Sequence, residues 1–316
     1  MAEPPAGTAH AGQSGFAPAR QAFLDACRLD VETPKPGNVS MRSAGHGMRA
    51  AQFLASAEAA AGALVAPGAT VGQRVLDAVA RTREAAGCNT NLGIVLLVAP
   101  LAAALEDTAR PLRAAHWRDA TERVLARLDL DDTRLAYRAI ALANPGGLGD
   151  APEQSVHGTP TVALRDAMKL AAARDSIARQ YADGFRDVFE TGLAAWRAMP
   201  ANQPRLATLH VFLTFLARWP DSHIVRKQGA AVAHSVTLAA RERHTRWLGK
   251  LHEARLDARD AARAPPPDAL DALDALDALD AFDAWDAELK ARAINPGTSA
   301  DLTVATLFVA GCLARA

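Results

Sequence analysis

The sequence contains little that would indicate a disulfide-bonded, membrane or nucleic-acid-binding protein. Its cysteines, Cys27, Cys88 and Cys312, are odd in number, far apart and never arranged as Cys-x-x-Cys, which predicts reduced thiols in a cytoplasmic protein. Lys plus Arg and Asp plus Glu are equal at 35 each, so no net charge attracts nucleic acid or an anionic membrane. The longest apolar runs, 93–105 and 302–313, are shorter than the roughly 20 residues that span a bilayer. We therefore expect neither nucleic acid nor a membrane as a partner.

The signatures of several catalytic classes are also missing. The sequence contains no Walker loop, no dinucleotide-binding glycine motif, no His-Glu-x-x-His zinc motif and no nucleophile elbow. Catalysis through a covalent intermediate is therefore not indicated.

The hydrophobic pattern is that of a helical protein with a large core. Apolar residues make up 50% of the chain, which is enough to bury a substantial interior. Between residues 16 and 31, Phe23, Cys27 and Val31 recur at the four-residue step of an amphipathic helix, and most later segments behave similarly. We predict an all-α fold, a single multi-helix, bundle-like domain over residues 20–316, in which polar loops at helix starts form a cleft. Residues 1–19 are predicted to be a disordered, cytosolic leader.

A low-complexity acidic run interrupts this pattern near the C-terminus. Asp-Ala-Leu units repeat between Asp268 and Glu288 with a period of three residues, whereas an α-helix turns every 3.6 residues. The apolar stripe would therefore wind around a helix, which predicts a poor core helix as far as Glu288. We predict that residues 264–281 form a solvent-exposed insertion, and that deleting residues 265–280 leaves activity intact.

The segment from Val31 to Val39 cannot be helical. Pro34 and Pro36 fix the backbone on either side of Lys35 and remove two hydrogen-bond donors, so a stiff loop is expected. Gly37 and Asn38 then supply a turn. The loop presents Glu32, Lys35 and Asn38 as candidate ligand-binding groups, with a plain linker between helices as the alternative.

Further polar loops precede other helices. Asn89-Thr90-Asn91-Leu92-Gly93 leads into an apolar helix, and this arrangement either caps that helix or binds phosphate at its positive end. A loop of unusual length, 144–158, contains His157. Asp221-Ser222-His223 and the segment 294–302 also sit at helix starts, where caps and ligand sites both occur.

These loops together resemble the blocks of the triphosphoribosyl-dephospho-CoA synthase family. The resemblance covers about residues 20–315 without the acidic insertion, and its first and last blocks are the most specific. The matching blocks, in chain order, are Thr33-Pro34-Lys35-Pro36-Gly37, Asn89-Thr90-x-x-Gly93, Val156-His157-Gly158, Asp221-Ser222-His223-Ile224 and Asn295-Pro296-Gly297-Thr298-Ser299-Ala300-Asp301-Leu302. Members are all-helical enzymes that transfer the triphosphoribosyl group of ATP to the ribose 2′-hydroxyl of dephospho-CoA and release adenine.

The resemblance implies roles for individual residues. Lys35 and the turn 89–91 would contact phosphates. Asp221 and Asp301 would hold Mg²⁺ or the sugar, because positive charge develops on the ribose as adenine leaves. Glu32 or His157 would carry the proton. Together with Lys35, the predicted nucleotide-binding residues are Gly37, Asn38, Asn89, Thr90, Asn91, Gly93, His223, Asn295, Gly297 and Ser299.

Two blocks depart from the family pattern. The family usually reads Asn-Thr-His-Lys-Gly where this chain has Asn91 and Leu92 in the middle, and Gly-Ala-Arg-Gly-Glu-Ala where this chain has residues 172–177, Ala-Ala-Arg-Asp-Ser-Ile. Loss of a lysine removes a cationic group. Three interpretations follow: the family transferase with ATP, Mg²⁺ and dephospho-CoA; a related enzyme with another acceptor, such as a one-carbon carrier pathway would supply; or a non-catalytic nucleotide- or protein-binding helical protein. The oligomeric state is not predicted.

Overall fold

The protein is all-α, as predicted. The computed structural model describes residues 16–145, 155–156, 158–260 and 278–316, and every named element in these ranges is helical. A π-helical turn, Asp187–Gly192, lies directly before the short helix Leu193–Arg197. The α-helices are α1 (Phe16–Glu32), α2 (Ala50–Leu64), α3 (Val71–Ala86), α4 (Leu92–Ala104), α5 (Ala114–Ala126), α6 (Leu130–Ala143), α7 (Leu164–Ala171), α8 (Ser176–Ala182), α9 (Leu193–Arg197), α10 (Pro204–Arg218), α11 (Ser222–Gln228), α12 (Ala230–Asp260), α13 (Ala278–Ala291) and α14 (Gly297–Ala314).

The larger hydrophobic core is organised around α4 and α14. Both helices are apolar on nearly all sides, and both are surrounded by other helices, as such a composition requires. Helix α14 packs against α1, α4 and α10. Within the described residues α14 is also the one helix long and apolar enough to cross a membrane, yet 72% of it is buried inside the fold. That burial is typical of the central helix of a globular protein.

The first helix begins at Phe16, so residues 16–19 of the predicted leader are helical. Ala19 and Phe23 are buried against the core. The remainder of the predicted leader, residues 1–15, lies outside the described residues.

A second hydrophobic core corrects the interpretation of the acidic run. Phe282, Trp285 and Leu289 on α13 are buried, and they pack with residues of α10 and α12 such as Trp247. Their spacing of three and then four residues keeps them on one face of a helix, which the strict three-residue repeat before them does not do. The expectation of a poor core helix up to Glu288 is therefore wrong for residues 282–288. Most of the predicted insertion, residues 264–277, lies outside the described residues.

Candidate functional site

A cleft of about 630 Å³ lies where the N-terminal ends of α4, α11 and α14 meet the proline loop. Its polar wall comes from these helix starts and from the loops before them. Its apolar wall comes from α4, α6 and α7, with side chains that include Leu96, Ile140 and Met168. The residues predicted from the sequence that line it are Asn38, Asn89, Thr90, Gly93, His223, Asn295, Gly297 and Asp301. Segments separated by more than 200 residues therefore share one site.

Asp301 on α14 lies directly against Gly93 on α4. A Cβ atom added to Gly93 would lie only 2.0 Å from Asp301 Oδ2, so a side chain at residue 93 would overlap the carboxyl group. Burial raises the pKa of Asp301 well above its ordinary value, and the nearby carboxylates Asp221, Asp30 and Asp175 add to the shift. Arg226 opposes it. The carboxyl group is thus held where its negative charge is poorly stabilised.

Asp221, in contrast, is a structural carboxylate. Its Oδ1 caps α11 by accepting the backbone N–H groups of His223 and Ile224 at 2.9 and 3.2 Å. Its Oδ2 accepts the N–H and the hydroxyl of Ser299 at 2.7 and 2.8 Å. Asp221 and Ser299 are both buried and neither lines the cleft. They join the start of α11 to the start of α14, and they therefore position His223 and Asp301 without facing a ligand.

Lys35 does not face the cleft either. Its side chain is 0% exposed, and its ammonium group lies 3.2 Å from the carboxylate of Asp30. The ammonium group also donates to the carbonyl oxygens of Asp30 and Thr33. Burial lowers the pKa of Lys35 and raises that of Asp30, and the attraction between the two opposes both shifts. Asp30 lines the cleft and Lys35 does not. Lys35 therefore contacts the cleft only through Asp30, whose negative charge it balances.

Three other predicted residues lie outside the cleft lining. Glu32 forms an ion pair with Arg205 at 3.6 Å. The side-chain amide of Asn91 is buried, has no hydrogen-bond partner, and borders a separate small cavity. Gly37 contributes its backbone N–H to Asp286 at 2.8 Å. His157 lies outside the described residues.

The polar cleft residues are held by local hydrogen bonds. Asn38 donates to the side-chain oxygen of Asn295 at 3.0 Å, which connects the proline loop to the segment before α14. Asn89 accepts the N–H of Leu92 at 3.1 Å and so caps α4. Thr90 donates to the hydroxyl of Ser56 at 2.6 Å. The turn at Asn89 and Thr90 thus both caps α4 and lines the cleft, two roles that the sequence left as alternatives.

His223 is a neutral histidine at the N-terminal end of α11. Burial lowers its pKa to about 4, with further contributions from Arg226, Lys227 and His46. A neutral imidazole accepts one hydrogen bond and donates one, so His223 suits recognition of a polar group better than donation of a proton at neutral pH.

Sequence reasoning missed several charged groups of the cleft. Arg226 lies one helical turn after His223 and forms an ion pair with Asp175 at 2.7 Å. Asp175 also caps α8. Arg174 is exposed and lines the cleft. The spacing of Arg226 after the Asp221 block was the available signal, since residues three apart on a helix share a face.

The carboxylates of the cleft differ in how well they suit a divalent cation. The oxygens of Asp221 already accept four hydrogen bonds. Asp30 and Asp175 are paired with Lys35 and Arg226. Among the described lining residues, Asp301 is the carboxylate with neither a hydrogen bond nor an ion pair. Mg²⁺ in nucleotide sites usually takes one or two protein carboxylates together with phosphates and water, so Asp301 fits such an ion and Asp221 does not.

Comparison with known protein families shows the class of this protein. A family model described as CitG, ATP:dephospho-CoA triphosphoribosyl transferase, matches residues 17–315. The chain therefore belongs to the CitG family of ATP:dephospho-CoA triphosphoribosyl transferases, as the resemblance of its loops predicted. No curated protein matches it at a significant level.

A solved structure shows the same fold. The crystal structure of a proposed triphosphoribosyl-dephospho-CoA synthase from Archaeoglobus fulgidus superposes with a TM-score of 0.58 and 24% sequence identity. The match covers 82% of this chain and 97% of the archaeal chain. At this identity the likeness establishes the fold, while the family model establishes the class of enzyme.

Proposed function

We propose that the cleft binds ATP with Mg²⁺ and transfers its triphosphoribosyl group to the ribose 2′-hydroxyl of dephospho-CoA, with release of adenine. The observation that carries this proposal is the meeting of α4 and α14 at Gly93 and Asp301. It places two positive helix ends and one unpaired carboxyl group in the same cavity. Triphosphate and a developing ribosyl cation need these two features side by side.

The triphosphate is proposed to lie against the N–H groups of Gly93 and Ile94 at the start of α4 and near Arg174. Arg174 is exposed on the cleft wall, and no interaction with another described residue occupies it. Guanidinium groups and free backbone N–H groups at helix ends are both good phosphate donors. When bound, Mg²⁺ would be held by Asp301 and would neutralise charge on the phosphates.

The ribosyl transfer step needs a negative charge near the anomeric carbon. The bond from this carbon to the adenine nitrogen breaks, and a bond to the acceptor oxygen forms. The proton lost by the acceptor hydroxyl balances the proton gained by the departing adenine. A cationic sugar or Mg²⁺ lowers the pKa of Asp301, because it stabilises the carboxylate form. Asp301 thus interacts more strongly with the charged ribose of the transition state than with the uncharged ribose of bound ATP.

The direct test is adenine release. The protein is incubated with ATP, Mg²⁺ and dephospho-CoA, and free adenine is separated by chromatography, with omission of dephospho-CoA as the control. We expect adenine to form in step with a triphosphoribosylated product whose mass identifies the acceptor. Absence of adenine with every acceptor, together with no binding of ATP, would reject the proposal.

A second candidate, a related enzyme with a different acceptor, is favoured by the position of Leu92. Leu92 is apolar and lines the cleft where the family has a lysine. Its neighbour Asn91 is buried and turned to the separate small cavity. Fewer cationic groups at this wall suit an acceptor with less phosphate. Adenine or pyrophosphate release that requires an acceptor other than dephospho-CoA would support this candidate over the first.

We also propose that the protein works in the cytoplasm. Cys27, Cys88 and Cys312 are all free thiols, and two of them are buried. A reducing compartment is where such thiols persist.

A further inference from the structure

We propose that Asp286 on α13 is a positioning residue for the cleft, which holds the proline loop so that Asn38 faces the substrate. Among the described residues, the hydrogen-bond partners of the Asp286 side chain are Gly37, Ser43 and Lys290, none of which lines the cleft, and Asp286 acts through the backbone of Gly37. The effect on substrate affinity rests on the function proposed above. The hydrogen-bond network that joins Asp286 to Gly37, Ser43 and Lys290, which we call the clamp, does not rest on that function.

One carboxylate ties two ends of a loop to the same helix. Asp286 Oδ1 accepts the backbone N–H of Gly37 at 2.8 Å. Its Oδ2 accepts the hydroxyl of Ser43 at 3.0 Å and the ammonium group of Lys290 at 2.8 Å. Lys290 donates in turn to the hydroxyl of Ser43 at 2.6 Å. Residues 37–43 are therefore fixed at both ends by a closed network of charged and neutral donors.

The loop is also pressed against the segment before α14. Gly37 has a φ of 76°, and a Cβ atom there would lie 2.8 Å from Pro296 Cδ and 2.9 Å from the carbonyl oxygen of Ile294. A glycine is required by both the backbone conformation and the space. This close approach sets the distance at which the next residue, Asn38, reaches Asn295.

The clamp is worth more than an exposed surface contact. The side chains of Asp286 and Lys290 are only 19% and 13% exposed. Hydrogen bonds to a charged partner are about twice as strong as neutral ones, and the half-buried site screens them little. Without the carboxylate, the N–H of Gly37 loses its partner and the loop gains freedom. Asn38 would then lose conformational entropy each time substrate binds, which weakens binding.

The clamp is absent from the sequence resemblance because it lies on the acidic run. Asp286 is one of many aspartates in a repeating segment, and only the burial of Trp285 and Leu289 beside it fixes which face it occupies. A carboxylate at this helical position points back to the proline loop, while Asp283, one turn earlier, is exposed and lies 3.9 Å from Arg42.

Two substitutions at Asp286 and one matched control test the proposal. Asp286→Ala removes all three accepted hydrogen bonds, whereas Asp286→Asn keeps an acceptor for Gly37 but loses the charge that pairs with Lys290. Asp283→Ala removes an exposed carboxylate from the same helix. The measurements are amide hydrogen exchange of a peptide that covers residues 37–39, KM and kcat for adenine release, and the thermal midpoint.

We expect Asp286→Ala to speed exchange at residues 37–39 and to raise KM about tenfold, with kcat changed by less than about threefold. Asp286→Asn should fall between this variant and wild type, and Asp283→Ala should match wild type. Unchanged exchange in Asp286→Ala would overturn the proposal. So would a lower thermal midpoint accompanied by unchanged KM, since that is the result of a purely structural role.

The exchange measurement separates this proposal from the proposed function. If no variant and no wild-type sample releases adenine, the function fails, and exchange at residues 37–39 alone then decides whether the clamp exists. If Asp286→Ala does not fold, Ser43→Ala removes one arm of the network and should give a smaller increase in exchange. No increase in that variant would count against the clamp.

Discussion

Asp221 and Asp301 both lie near the start of a helix, yet they have opposite surroundings. Asp221 is the N-cap of α11 and Asp301 is the fifth residue of α14, and each was predicted to hold a metal or the sugar. Asp221 accepts four hydrogen bonds from His223, Ile224 and Ser299. Asp301 accepts none from a described residue and faces the cleft. The carboxylate that the protein satisfies holds the fold together, and the one it leaves unsatisfied is available to a ligand.

Burial alone does not distinguish the two. Burial is the largest cause of a raised pKa at both carboxyl groups. At Asp221 the donors of Ser299 and Ile224 oppose that shift, whereas at Asp301 neighbouring carboxylates increase it. The number of donors aimed at the group therefore decides its role.

The largest expected effect on stability is that of Asp221→Ala. Four donors at the junction of α11 and α14 would lose their acceptor, and the free energy of unfolding should fall by about 3–5 kcal/mol. Urea denaturation measures this, with Asp183→Ala as the control, because among the described residues the side chain of Asp183 pairs only with the exposed Arg186. Equal stability of the two variants would break the distinction drawn between Asp221 and Asp301.

Gly93→Ala should be the next largest. The added methyl group would overlap Asp301 Oδ2, and relief of this overlap should lower the free energy of unfolding by about 1–3 kcal/mol. The Gly93→Ala/Asp301→Ala double variant should recover most of the loss that Gly93→Ala causes, since it removes the closest overlapping atoms and leaves only the flexible end of Ile177, Cδ1, at 2.9 Å. Additive effects of the two substitutions would show that the close approach does not constrain α4 and α14.

Asp301→Asn should reduce activity strongly while the fold persists. Loss of the carboxylate that faces the charged transition state should reduce the rate of adenine release about a hundredfold. Circular dichroism at the same temperature provides the control for folding. A rate within threefold of wild type would remove Asp301 from the proposed chemistry.

The same variant should change stability in a pH-dependent manner. The pKa of Asp301 in the folded protein lies well above its ordinary value of 3.8, so the folded state binds more protons and stability falls as pH rises above that value. Asp301→Asn removes this loss and should be more stable than wild type at pH 7 by on the order of 1 kcal/mol, with no gain near pH 3. Thermal midpoints across this range measure the difference. A gain of equal size at both pH values would show that ionisation is not its cause.

Much of the fold followed from sequence because the chain is helical and its loops are marked by glycine and proline. The starts of α4 and α14 and the loop at Pro34 and Pro36 were located from residue type alone. We predicted that polar loops at helix starts form a cleft, and Asn89 and Asp301 both line one.

What could not be predicted were the directions in which side chains point. Lys35 looks like a phosphate ligand in the sequence, but a carboxylate five residues earlier, Asp30, captures it inside the protein. Ser299 and Asp301 are two residues apart on a helix and therefore face different sides. Phe282 and Trp285 also show that a three-residue repeat can be followed by residues with the three- and four-residue spacing of a helix that is buried on one face. Each outcome depends on tertiary contacts that composition and spacing do not encode.

The anchoring of α13 separates the cleft from the repetitive segment that precedes this helix. Trp285 fixes this helix in the second core, and the neighbouring carboxylate fastens it to the proline loop. Units of Asp-Ala-Leu can therefore be gained or lost upstream, as repetitive coding sequence readily does, without any shift being transmitted across α13. Variation in the length of the run is expected to be tolerated as long as the buried side chain of Phe282 keeps its place in the second core.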